Sequence, residues 1–276
     1  MELCYVPNLR ETAAGLAPMS LRDYLMLPET RALRGLDGPE ATLLHARIIQ
    51  AKPFLHRLYQ DFYAEFITAA RAGPGGRCVE LGSGGGFLKR LLPHVITSDV
   101  QPLPDVDEAF SVERMPFANA SVQMFFLLGT FHHFPDAAAA LREMARCLRP
   151  GGQVVMIEPA NTPWGRFIYR RFHHEPFDPS GGWSFPSDGP LSGANGALPW
   201  IVFCRDRERL ARDFPELRLV SVRCHTPLRY LLSGGVSMRC LVPSFSYPLA
   251  KAADAVLGLA GALTGMFMTV KLEREK

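Results

Sequence analysis

Three short clusters in this 276-residue chain combine residue types that could do chemistry. The first is Cys-Val-Glu-Leu-Gly-Ser-Gly-Gly-Gly at 78–86, an apolar run through Glu80 followed by a Gly82-x-Gly84-x-Gly86 turn. Glycines there can take positive φ and carry no Cβ, so a ligand can lie against bare backbone where Phe87–Leu92 opens a helix. Dinucleotide sites space their glycines as Gly-x-Gly-x-x-Gly, whereas here Gly86 comes one residue early, which disfavours NAD. The second cluster, Val95–Asp99, ends in an acid that could accept hydrogen bonds from both hydroxyls of a ribose. The third is His132-His133, after the apolar run Val122–Leu128. Imidazole titrates near neutrality and suits deprotonation of a hydroxyl or an enol-like carbon acid. A histidine that ties the loop to the sheet is the competing reading, and Glu158, His173, His174 and Tyr59 are further base candidates.

Elements that would position these clusters alternate between strand and helix. Apolar runs at 78–81, 95–99, 122–128 and 153–157 read as strands, and Leu141, Met144, Ala145 and Leu148 mark a helix capped by Asp136 and stopped at Arg149-Pro150-Gly151-Gly152. Residues 39–72 read as helices broken at Pro53, with Leu55, Tyr59, Phe62 and Phe66 on one face and a second stripe of Lys52, His56, Tyr59 and Tyr63. Toward the end, Asp206 is placed to cap a helix running to about Arg212, and 219–222 and 266–272 read as strands. The alternation predicts an α/β fold with helices on both faces of a mostly parallel sheet.

Taken in order, VELGSGGG, the acid at Asp99, ERMPF, LGTFHHFPD and LRPGGQVVMIEP resemble the class I S-adenosylmethionine-dependent methyltransferases, most of all the branch of ubiquinone and menaquinone biosynthesis. The likeness covers roughly residues 75–160. It implies a Rossmann-like methyltransferase fold with a seven-stranded sheet, a last strand running antiparallel, and S-adenosyl-L-methionine as cofactor. Glu80 would steady the turn and the methionine amino group, with Gly82, Ser83, Gly84 and Gly86 along the methionine and sugar. Asp99 would hold the ribose, and Val100, Ser111, Val112 and Leu128 would surround the rest of the cofactor. Ser111 stands where the family usually has Asp, which removes a charged acceptor for the adenine amino group. No Asn-Pro-Pro-Tyr-like sequence follows the fourth strand, and His133 is preferred to His132 as the base because the second histidine is the more regular in the family. The implied activity is methyl transfer to oxygen or carbon of a small or lipid-like acceptor. The rival is a methyltransferase-fold protein that binds a partner or catalyses another reaction.

Residues 1–72 are expected to form an N-terminal segment and helical cap, and 73–276 a methyltransferase domain with insertions at 160–199 and 230–262. Binding sites in this fold lie outside the carboxyl ends of the strands, so the 160–199 insertion is the expected acceptor lid. Its Arg170, His173 and His174, with Tyr59 and Tyr63 of the cap, are the candidate acceptor contacts; arginines on a solvated helix are the competing account. The 230–262 segment is expected to be buried within the protein.

A net charge of +3 without a long basic run gives nucleic-acid binding little support. Six scattered cysteines with no C-x-x-C pair point to reduced thiols, and no metal is expected. Without a basic and apolar leader, and with the least polar stretch, 255–270, short of the roughly 20 residues that span a bilayer, a cytoplasmic protein is expected. Peripheral contact with the inner face of a membrane is compatible with this reading.

Overall fold

The computed structural model describes residues 24–31, 37–73, 75–173, 175–186, 189 and 193–275. Its seven strands are β1 (Cys78–Leu81), β2 (Ile96–Asp99), β3 (Glu108–Ala109), β4 (Val122–Leu128), β5 (Leu148–Pro159), β6 (Leu217–His225) and β7 (Phe267–Arg274). They form one sheet in the order β3-β2-β1-β4-β5-β7-β6. The first five are parallel, and β7 lies antiparallel between β5 and β6. This is the expected Rossmann-like arrangement. The chain steps outward from β1 to β3 and then returns to the other side of β1 as β4, which opens a crevice at the carboxyl ends of these two strands.

The middle strands are apolar on both faces because helices cover both. Val79, Leu81, Phe125, Phe126 and the run Val154, Val155, Met156, Ile157 are fully buried. Helices Pro39–Ala51 and Pro53–Ala72 each begin with proline, which has no N–H to lose at a first helical position. Lys52 between them is extended (φ −104°, ψ 96°), so the break expected at Pro53 is a joint between two helices. The longer helix buries Phe54, Leu55, Leu58, Phe62 and Phe66, and Phe66 stacks on Phe126 of β4 with ring centroids 5.0 Å apart. Lys52 leaves the polar stripe: its Nζ donates to the Gly235 and Met238 carbonyls at 2.6 and 2.8 Å.

Three local expectations are corrected. Asp136 does cap its helix, accepting from the Ala138 and Ala139 N–H groups, but the helix ends at Cys147 and residues 148–152 already belong to β5. Leu148 pairs with Val122 across a bulge, and Gly151 takes φ +75°, so the glycines bend a strand instead of ending a helix. Asp206 precedes helix Arg207–Asp213, yet its carboxylate accepts from Arg205 and from Trp183 Nε1, not from the helix. The 230–262 segment is not buried throughout, since Phe245, Leu249, Val256 and Leu259 are exposed.

Among the described residues no helix is long and apolar enough to cross a membrane. Cys78, Cys147, Cys204, Cys224 and Cys240 are unpaired; Cys4 lies outside the described residues.

Candidate functional site

A cavity of about 680 Å³ opens at the carboxyl ends of β1, β2, β4 and β5. Its two ends are built differently.

At the first end, the turn after β1 is tied to β2. The Ser83 N–H donates to the Ser98 carbonyl at 2.8 Å, and Ser98 Oγ donates to the Glu80 carbonyl at 2.8 Å. Gly84 takes φ +48°, and a Cβ added there would meet nothing closer than 3.8 Å, because it would point into the cavity. Gly85 is a glycine for another reason: a Cβ would come within 2.6 Å of the Ala46 nitrogen, so it lets the cap helix close over the turn. Asp99 Oδ2 accepts from the Gly84 N–H and Oδ1 from the Gln101 N–H, each at 3.0 Å. Burial nevertheless holds its carboxyl above the ordinary aspartate value. Glu80 is deeper. Burial, opposed by the neighbouring Ser83 hydroxyl and reinforced by the Asp99 charge, pushes it up to about 8, and no group among the described residues meets its Oε2 in good hydrogen-bond geometry.

The second end is a cluster of histidines and carboxylates. Glu158, fully buried at the end of β5, accepts the Thr130 and Phe131 N–H groups on Oε1 at 2.8 and 2.7 Å. Its Oε2 meets His132 Nδ1 at 2.7 Å. On the other side His132 Nε2 lies 3.3 Å from Glu175 Oε2, so two carboxylates outweigh burial and hold this imidazole up to about 10. His133 Nδ1 faces the Gly193 carbonyl at 3.2 Å, and its Nε2 lies 3.6 Å from Glu175 Oε1. Burial and the His132 charge push His133 down to about 4. The expected imidazole titrating near neutrality is therefore found in neither residue: one is held as the cation, the other neutral. Glu175 sits well below the usual carboxylate range, with His132, His133 and His173 around it.

All of the residues singled out at the cofactor end, Glu80, Gly82, Ser83, Gly84, Gly86, Asp99, Val100, Ser111, Val112 and Leu128, line this one cavity, as do His132, His133, Tyr59, Tyr63 and His173. Tyr63 is spoken for, since its buried hydroxyl accepts the Phe87 N–H at 3.2 Å. Arg170 is the departure: it is exposed on helix Pro163–Phe172 and does not line the cavity, because Ile168 and Tyr169 take the inward face. His174 lies outside the described residues. Glu175, Tyr169, Tyr230, Val236 and Phe267 also line the cavity and had no assigned role. The only sequence signal for Glu175 was an acid between two histidines and a proline in the insertion.

Residues 79–156 match the family model described as a methyltransferase domain, which spans the glycine turn, Asp99 and both histidines. Among solved structures, an S-adenosylmethionine-dependent methyltransferase from Thermotoga maritima superposes with a TM-score of 0.50 at 15% identity, over 84% of this chain and 99% of that one. A geranyl diphosphate C-methyltransferase from Streptomyces coelicolor, solved with Mg2+, geranyl diphosphate and S-adenosyl-L-homocysteine, gives 0.42 at 15% identity over 80% of each chain. Residues 79–156 thus resemble a methyltransferase domain, and the chain shares the fold of the Thermotoga maritima structure.

Proposed function

We propose that this protein transfers the methyl group of S-adenosyl-L-methionine to an oxygen or carbon of a small, largely apolar acceptor of the phenol or quinone type. The observation that carries the reading is one continuous cavity with a glycine-and-carboxylate end and a histidine end. The cofactor fits the first end. Glu80 Oε2 is a buried acceptor that no group among the described residues meets in good geometry, suited to the methionine ammonium, and the open face of Gly84 leaves room against the backbone. Asp99 would take the ribose hydroxyls, and Val100, Ser111, Val112 and Leu128 the adenine side. When bound, the cofactor supplies an electrophilic methyl, whose bond electrons return to sulfur as the acceptor's lone pair forms the new bond.

The protein's own share is alignment and proton removal. Tyr169, Tyr230, Val236 and Phe267 give the acceptor end an apolar wall, which suits a lipid-like molecule. His133, the neutral imidazole, aimed by the Gly193 carbonyl, would take the proton of the acceptor's O–H or C–H, and His132, held as the cation by Glu158, would face the oxygen that becomes negative. In this reading residues 1–72 act as the cap, and 160–199 as the acceptor lid. The exposed Phe245, Leu249, Val256, Leu259 and Leu263 favour a lipid surface as the place where the acceptor is met.

Calorimetric titration with S-adenosyl-L-homocysteine tests the cofactor half, and labelled methyl transfer into lipid, quinone, phenol and sugar extracts tests the acceptor half. His133→Gln is expected to slow turnover by roughly 10²–10⁴-fold with cofactor affinity nearly unchanged. A folded chain that does not bind S-adenosyl-L-homocysteine would remove the reading.

A further inference from the structure

Resting on the assignment of the histidine end to the acceptor, we propose that His132 Nε2, His133 Nε2 and a carboxylate oxygen of Glu175 bind one divalent transition-metal ion of the zinc class. The ion's remaining position would face the cavity and take an oxygen of the acceptor. The sequence, with its scattered cysteines, gives no sign of such a site.

Geometry is the first argument. One ligand atom from each residue can be chosen so that all lie within 4.8 Å of one another, and the two imidazole-to-carboxylate separations are 3.3 and 3.6 Å. Two donors bound to one ion at about 2.1 Å stand about 3.0–3.5 Å apart. Each imidazole is already near that separation from its own Glu175 oxygen, Oε2 for His132 and Oε1 for His133, and the three donors would draw in from within 4.8 Å to share one ion. Orientation is the second. Metal-binding histidines direct their other ring nitrogen at a carboxylate or a backbone carbonyl, which fixes the tautomer and turns the free nitrogen to the metal. Both arrangements occur here: His132 Nδ1 on Glu158, itself held by two backbone N–H groups, and His133 Nδ1 on the Gly193 carbonyl.

Charge is the third. Glu158 and Glu175 are both within bonding reach of one imidazole, and His133 stacks obliquely on it with ring centroids 4.2 Å apart. Two carboxylates thus converge on the site, and a dication held between imidazole nitrogens would answer their charge. Two imidazole donors also select the ion, because Mg2+ and Ca2+ take oxygen ligands, while Zn2+ and its neighbours take a two-histidine, one-carboxylate set with a position left open. With both imidazoles bound, the ion would replace His133 as the activating group: it would acidify a coordinated hydroxyl or enol oxygen, whose proton leaves to solvent, and present the oxygen's lone pair toward the methyl donor.

The test uses the full chain, stripped with chelator and titrated with ZnCl2 by calorimetry and with CoCl2 by visible absorption, without acceptor. One ion per chain is expected, with cobalt d–d bands of a nitrogen- and oxygen-ligated site. His133→Gln and Glu175→Gln should each weaken binding by about tenfold or more. His94→Gln, at an exposed histidine, should leave binding unchanged. S-adenosyl-L-homocysteine affinity within about twofold of wild type checks that each variant is folded. No uptake by the wild type, uptake undiminished in both site variants, or uptake lost with His94 overturns the proposal. Metal binding without S-adenosyl-L-homocysteine binding keeps the site and sinks the methyltransferase reading; the converse result does the opposite.

Discussion

The two ends of the cavity are assembled over very different lengths of chain. At the glycine end, the bond from Gly84 to Asp99 joins residues 15 apart, and Glu80, the turn and Asp99 belong to two neighbouring parallel strands. At the histidine end, His132 meets Glu158 across 26 residues and His133 meets Gly193 across 60, while Glu175, Tyr230 and Phe267 come from the insertion, the C-terminal segment and β7. A short stretch of backbone thus specifies the first end almost alone. The second exists only once the insertion has folded back over the sheet. Changes at the first end should therefore act on cofactor affinity, and changes at the second on turnover.

Gly84→Val should break the contrast most completely. A branched side chain at φ +48° would be strained and would occupy the open space the cofactor needs, so S-adenosyl-L-homocysteine binding should become undetectable by calorimetry in a protein with an unchanged circular dichroism spectrum. Retained affinity would move the cofactor elsewhere.

Asp99→Ala comes next. Loss of two charge-assisted hydrogen bonds, each worth about 1.5–3 kcal/mol, predicts an affinity drop of roughly a hundredfold or more. Asp99 also accepts the Gly84 and Gln101 N–H groups, one on each oxygen, so Asp99→Asn, which keeps the shape and one of these two acceptors, should lose less. Equal loss in both variants would assign the whole effect to charge.

A smaller effect follows from Glu80. With its carboxyl raised from 4.5 to about 8, the folded protein holds a proton there that the unfolded chain has lost between these values. The stability Glu80 contributes to the ligand-free protein is complete below about 4.5 and is lost as pH rises through about 8. An ammonium ligand favours the ionised form, so S-adenosyl-L-homocysteine affinity should rise about tenfold between pH 6 and 7 and level off above pH 8. In Glu80→Gln the slope should vanish; a slope that persists would place the titrating group elsewhere.

Arg170→Ala should do the least. Exposed on the outer face of its helix and away from the cavity, it should leave both the cofactor Kd and kcat within about twofold of wild type. A loss of turnover would bring that helix face into acceptor recognition and blur the contrast between the ends.

The legibility of the two ends differs for the same reason. Gly82, Gly84, Asp99 and Asp136 could be read one by one, because a positive φ, a carboxylate at a strand end and a helix cap are each imposed by a few adjacent residues. Where a local signal had two outlets, tertiary pairing decided. Leu148 satisfied the helical period but pairs with Val122, and Asp206 sat at a cap position but bonds Arg205 and Trp183. The apolar 230–262 segment could be expected inside, yet Leu249 and Leu259 are turned to solvent, since hydropathy does not state which face of a helix finds a partner.

The chain's own order of residues determined the strand–helix alternation, the glycine turn and the identity of the two histidines, all of which depend on short-range sterics and periodicity. Their chemical state was decided only in three dimensions. His132 and His133 are adjacent and identical in type, yet one is held protonated by Glu158 and Glu175 while burial keeps the other neutral. The difference arises because a pKa responds to charges and solvent within a few ångströms, and those neighbours arrive from distant parts of the chain.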